Sequence, residues 1–152
     1  MGISGSHASH IKKVHVRFII SGESLDHKQV TDALGIKPDV CANRGDTKVI
    51  GKAVSVHSEG FWRIDTQGKV DSKDINDHLK FLLSLLLPHK DVILEMAQNG
   101  ETYFDIVWKS TYLYAGTGPL IDKECLSGMS QLNAGMGFDI YQVDDDEPSK
   151  TK

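Results

Sequence analysis

The chain has 152 residues, 39% of them hydrophobic and 25% charged, which are ordinary globular values. That length suits one domain with enough buried surface to need no disulfide or metal staple. A net charge of −4, with no stripe of clustered Lys and Arg, argues against a nucleic-acid binder, which must neutralise phosphates.

Residues 1–11 are small and polar around GSHAS and read as an expression scar or a disordered start. Val14, Val16, Phe18 and Ile20 then alternate with His15, Arg17 and Ile19, which is strand periodicity. Ser24 is placed to cap a helix over residues 25–34, with Asp26 in its first turn and Gly35 as its stop. Residues 38–48 carry little periodicity and read as a loop. Two strands follow, over residues 49–57 and 61–65, separated by Ser58-Glu59-Gly60.

The clearest helix spans residues 73–87. Ile75, Leu79, Leu82 and Leu86 share one face, which Phe81, Leu83 and Leu85 widen; Asp71 or Ser72 caps it and Pro88 stops it. Asn99-Gly100 between residues 91–98 and 101–109 has the chemistry of a hairpin turn, so both segments are expected as strands. Residues 112–119 (YLYAGTGP) form a loop, and Pro119 suits the entry to a helix over 120–132. Ile121, Cys125, Met129 and Leu132 lie on one face of that helix. Gly135 and Gly137 follow it, residues 138–143 form a last strand, and residues 144–152 form an acidic solvated tail.

The expected fold class is therefore α+β: an antiparallel or mixed sheet with three helices, in the order β-α-β-β-α-β-β-α-β. Leu25-Asp26-His27-Lys28 and Ile121-Asp122-Lys123 echo one another at two helix starts, consistent with two ferredoxin-like halves on a shared sheet. The domain itself is expected over residues 12–143.

Recognisable chemistry is sparse. His15, His27, His57, His78 and His89 show no HxH or HExxH spacing, so no metal site is assigned. Cys41 and Cys125 lack CxxC spacing, which predicts a reducing, cytoplasmic setting rather than a disulfide framework. The longest apolar run, residues 81–87, is far too short for a membrane span. Cys125 reads as a buried thiol. Cys41, three residues before Arg44, is the better nucleophile but has no identifiable base. Gly116-Thr117-Gly118 lacks both the GxGxxG and the GK[ST] patterns, and no cofactor is implied.

Four residues stand out as ligand-binding candidates: Arg44, Trp62, Arg63 and Asp139. Trp62 beside Arg63 offers a stacking surface for a planar or anionic ligand, although core packing is the commoner fate of such a tryptophan. Asp65, Asp105 and Asp139 sit inside strands, where acids are depleted, and would form an acid pair or a cation site if two converge.

The pattern resembles a family: the bacterial domain-of-unknown-function family 4279. The resemblance rests on Phe18-Ile19-Ile20-Ser21-Gly22, Leu25-Asp26, Leu34-Gly35-Ile36, Pro38, Arg44-Gly45-Asp46, Gly60-Phe61-Trp62, the Leu-rich helix at 79–87 and Phe138-Asp139-Ile140-Tyr141. It covers residues 13–142 and implies a small bacterial protein with no catalytic residues to carry over. Three readings follow. The first is a non-enzymatic binding or protein-interaction module, immunity-like in size and charge. The second is a sensor for a small anionic ligand around Arg44, Trp62 and Arg63. The third is an enzyme, either thiol-based through Cys41 or hydrolytic through the strand acids.

Overall fold

The computed structural model describes residues 10–111 and 118–144. Its centre is β1 (Ile11–Gly22), a long strand whose even-numbered residues Val14, Val16, Phe18 and Ile20 are buried in the main apolar cluster. β1 is followed by α1 (His27–Leu34), a short strand β2 (Val40–Ala42), a hairpin of β3 (Thr47–Ile50) and β4 (Ala53–Val56), and β5 (Gly60–Asp65). Then come α2 (Ile75–Leu86), α3 (Lys90–Met96), β6 (Glu101–Ser110), α4 (Lys123–Gln131) and β7 (Gly135–Gln142), with single 3-10 turns on either side of α3. Five strands form one mixed sheet in the order β2-β5-β1-β6-β7, while β3 and β4 pair only with each other. The fold is α+β with a mixed sheet, and the three helices expected from the sequence are present as α1, α2 and α4.

All four helices contribute to the same core. Val30 and Leu34 of α1, Leu79, Leu82 and Leu86 of α2, Ile93 of α3, and Cys125 and Met129 of α4 pack with Trp62, Ile64, Phe104, Ile106 and Trp108 from the sheet. Strand alternation makes this possible, because every second side chain of β1, β5 and β6 points to the helices. Phe18 and Phe104, paired across β1 and β6, set their ring centroids 5.0 Å apart. Each of α1, α2 and α4 is started by an aspartate: Asp26 accepts from the Lys28 N–H, Asp74 from Asn76 and Asp122 from Cys125. The echo between residues 25–28 and 121–123 is thus a shared capping device. The two halves do share one sheet, but their strands pair differently, β1 with β5 antiparallel and β6 with β7 parallel.

Several boundaries differ from expectation for identifiable reasons. Residues 90–96 are helical, not the first strand of a hairpin. Val92, Ile93 and Met96 suit a helical face as well as a strand, and burial of Ile93 in the core decides between them. Gly100 makes no hairpin turn; its backbone is extended (φ −153°, ψ −156°). Its role is close approach, since a Cβ there would lie 2.1 Å from the Ser21 carbonyl oxygen. Residues 49–57 are not one strand but parts of the β3–β4 hairpin, which turns at Gly51 with φ +62°. The loop expected at 38–48 contains β2, held to β5 through Val40, Cys41 and Ala42. The helix over 123–131 is closed by Asn133 at φ 51°, so Gly135 and Gly137 belong to β7. Residues 1–9, Tyr112 to Thr117 of the expected loop, and the tail beyond Asp144 lie outside the described residues.

Candidate functional site on the helix-free face of the sheet

The odd-numbered residues of β1, β5 and β6 point away from the helices. Cross-strand register gathers them: Arg17 lies opposite Asp65 on one side and Asp105 on the other, and Ile19 lies between Arg63 and Tyr103. The β3–β4 hairpin leans over this face, tied at its base by the Gly45 N–H to His57 carbonyl and His57 N–H to Asp46 carbonyl bonds, both 2.9 Å. Between hairpin and sheet lies a cleft of about 330 Å³, whose polar groups come from Arg17, Arg63, Tyr103 and Asp105 below and from Lys48, His57 and Glu59 above.

Beside the cleft, one guanidinium meets three carboxylates. Arg17 lies 3.5 Å from Asp65, 3.2 Å from Asp105 and 3.9 Å from Asp139. Asp65 also bonds the buried His15 ring (Nδ1 to Oδ1, 2.9 Å) and accepts from the Gln67 N–H at 2.8 Å. Burial alone would raise its pKa. The bonds to His15 and Gln67 and the charges of His15 and Arg17 outweigh that burial and hold the carboxyl at about 2. Asp105 goes the other way, pushed up by burial and then by the Asp139 charge against the opposing pull of Arg17. Tyr103 is also raised, first by burial and then by Asp105, Glu59 and Glu101. Two of the three strand acids singled out in the sequence therefore meet as an interacting pair, Asp105 with Asp139, and the third joins them through Arg17.

The four candidate residues separate. Arg63 lines the cleft, and its Nε is buried without a hydrogen-bond partner among the described residues. Asp139 borders the Arg17 cluster. Trp62, one residue from Arg63 on the same strand, necessarily points the other way. It is fully buried in the core, where its Nε1–H donates to Thr31 Oγ1 at 3.1 Å. Arg44 sits on the exposed loop before the hairpin and pairs with Glu23. Arg17, Tyr103, Lys48 and Glu59 escaped the sequence reading. The alternation of Lys13, His15 and Arg17 with apolar residues already put Arg17 on the face opposite the core, but no local signal showed which partners β5 and β6 would bring to it.

Elsewhere among the described residues, buried polar groups such as Thr66 and His78 are bonded internally. His78, fully buried on α2, bonds the Ser72 carbonyl through Nε2 (2.7 Å), which accepts only, so Nε2 carries the proton. Its Nδ1 then accepts from the Thr66 hydroxyl (2.7 Å), and Thr66 Oγ1 in turn receives the Val16 N–H (2.9 Å). Burial pushes the Cys125 thiol up to about 12, with Asp122 adding to the effect, which removes its nucleophilicity at neutral pH. Cys41 is paired with Trp62 across β2 and β5 and so lies on the helix side of the sheet, away from the cleft. Among the described residues no cluster of three or more His, Cys, Asp or Glu is arranged to hold a metal ion. Among them, too, no helix is long and apolar enough to cross a membrane.

The model of one family, described as a domain of unknown function (DUF4279), matches residues 12–143. The chain belongs to this family. No curated protein and no solved structure matches it. For this DUF4279 member, two of the sequence hallmarks acquire a structural reason. In Gly60-Phe61-Trp62, a Cβ on Gly60 would sit 2.2 Å from the Leu25 carbonyl oxygen, and Trp62 fills the core. In Phe138-Asp139-Ile140-Tyr141, Asp139 serves the Arg17 cluster.

Proposed function

We propose that this DUF4279 member is a binding module whose ligand is a small molecule with an anionic group, received by Arg63 in the cleft under the β3–β4 hairpin. One observation carries the reading: the Arg63 guanidinium buries an Nε–H with no partner among the described residues, beside a polar cleft of about 330 Å³. An unmet buried donor costs about 1–3 kcal/mol, and an anion is the partner that recovers most from it, since charge-assisted bonds to Arg are the strong ones. The volume lies at the lower end of the range typical for small-ligand sites. Arg17 also buries an Nε without a hydrogen-bond partner among the described residues, but it is a poorer receiver because three carboxylates already surround its guanidinium. Tyr103 and His57 supply further polar contacts, and Phe61, whose ring centroid is 5.3 Å from that of His57, supplies an apolar wall.

A thermal-shift screen with inorganic phosphate, nucleotides, carboxylic acids and amino acids tests this, followed by calorimetry on any hit. At least one compound is expected to raise the melting temperature. The shift should vanish in Arg63→Ala and survive in Arg44→Ala, whose side chain lies outside the cleft. If no compound shifts the protein, or the shift is unchanged in Arg63→Ala, the reading fails.

A further inference from the structure

Among the described residues the sheet has two edges, and they are unlike. β2 is three residues long and follows Pro38, a short, blunted edge. β7 is eight residues long, pairs with β6 in unbroken register, and contains neither lysine, proline nor bulge. Its Met136, Phe138 and Ile140 stand in register with Phe104, Ile106 and Trp108, on the helix side of the sheet, yet remain 39%, 44% and 45% exposed. Edges of this kind template pairing with another chain.

The backbone of β7 sets the register that a second copy would take. The Val143 N–H bonds the Ser110 carbonyl of β6. Strand alternation then turns the odd-numbered residues of β7 towards β6, and the N–H and C=O groups of Met136, Phe138, Ile140 and Gln142 outward. An antiparallel partner must place its own outward-facing residues opposite these. In a second copy of β7 with Phe138 on the two-fold axis, Phe138 meets Phe138 of its mate and Met136 meets Ile140. On the other face Asp139 falls opposite Gly137, and Tyr141 opposite Gly135. Large side chains thus meet glycines, and the three apolar side chains of each copy cover those of the other. Sliding the pair by two residues, so that the axis passes through Asp139, would set two aspartates directly opposite each other, which is destabilising.

We infer that two copies of this chain associate through antiparallel pairing of their β7 edges, with Phe138 at the two-fold axis, joining two five-stranded sheets into one. The contact is isologous, and the seam adjoins the Arg17–Asp139 cluster of both copies.

Analytical ultracentrifugation of the full chain at tens of micromolar should give twice the 16.8 kDa of one chain. Phe138→Lys should halve that mass while the circular dichroism spectrum is unchanged, because the side chain is not part of the buried core. The register is read by oxidative cross-linking in a Cys41→Ser background. Phe138→Cys lies opposite itself at about 5.5 Å between Cα atoms, within disulfide reach, and should form a covalent dimer. Asp139→Cys, opposite Gly137, should not. A monomeric wild-type protein overturns the proposal. So does a dimer that persists in Phe138→Lys, or one in which Asp139→Cys cross-links and Phe138→Cys does not. Cleft binding by Arg63 is read by a different variant and a different signal, so either reading can fail alone.

Discussion

Asp65 and Asp105 show how the same residue type acquires opposite electrostatics from position alone. Both lie beside Arg17, on the two strands that flank β1. Asp65 has His15 and the Gln67 N–H in addition, and its folded pKa falls from 3.8 to about 2. A carboxyl with a depressed folded pKa contributes stability above its unfolded value, and loses it as pH falls through the folded one. The Asp65 contribution, on the order of 2 kcal/mol, is thus complete at neutral pH and should disappear between pH ~4 and ~2. Denaturant titrations of the wild type and Asp65→Asn across that window should converge at the acid end and diverge above it. Asp105 has the opposite sign: burial and Asp139 raise its pKa, so its ionisation on going to neutral pH costs stability. Asp105→Asn, neutral and of the same shape, is expected to melt at a higher temperature than the wild type at pH 7. A lower melting temperature would mean that the Arg17 bond outweighs the repulsion. His78 is a further case of position deciding role. Held between Thr66 and Ser72 with both ring nitrogens bonded, it is a satisfied core histidine on the buried face of α2.

At the scale of elements, two glycines matter more than the turns they mimic. Gly60 opens β5 and Gly100 precedes β6, and both let a neighbouring backbone carbonyl come within a distance no Cβ tolerates. Gly100→Ala should therefore lower stability by about 1–3 kcal/mol, and the loss belongs to steric conflict with Ser21 and not to turn geometry, since Gly100 has no positive φ. Gly118→Ala, where nothing among the described residues lies within 4 Å of the added methyl, is the matched control and should be silent in the same urea melts. The misplaced hairpin has the same origin. Asn-Gly is a turn signal in a chain considered alone, whereas here the glycine is required by β1, some 80 residues away in sequence. The β3–β4 hairpin shows the converse. Its four large aliphatic residues, Val49, Ile50, Val54 and Val56, are more than half exposed, so local pairing and the Gly51 turn hold it without a core of its own.

Across the whole molecule, order should follow depth in the sheet. β1 is bonded on both sides, to β5 and β6, and carries four core residues. Among the described residues the hairpin has only its own ladder. Native-state hydrogen exchange is expected to be slowest in β1 and β6, approaching global unfolding, and fastest in β3 and β4. Ligand binding in the cleft should slow exchange in the hairpin selectively, because the hairpin forms its upper wall. Exchange in the hairpin as slow as in β1 would show that it is anchored by more than its ladder.

Periodicity in the sequence determined the class of the fold and the three amphipathic helices, because burying one face of a helix or strand is a local demand written every two or three to four residues. It also determined that Val14, Phe18, Leu79 and Leu82 are core, and the order of its motifs carried the resemblance to DUF4279. The tertiary structure alone decided the rest. Trp62 and Arg63 are adjacent in sequence and read as one surface, but a strand sends neighbours to opposite faces, and only the position of the helices says which face is buried. Arg17, Asp105 and Asp139 lie up to 122 positions apart in the numbering and meet because β6 runs between β1 and β7. A site assembled by strand pairing leaves no local trace, since its residues are chosen by cross-strand register and not by their neighbours in the chain.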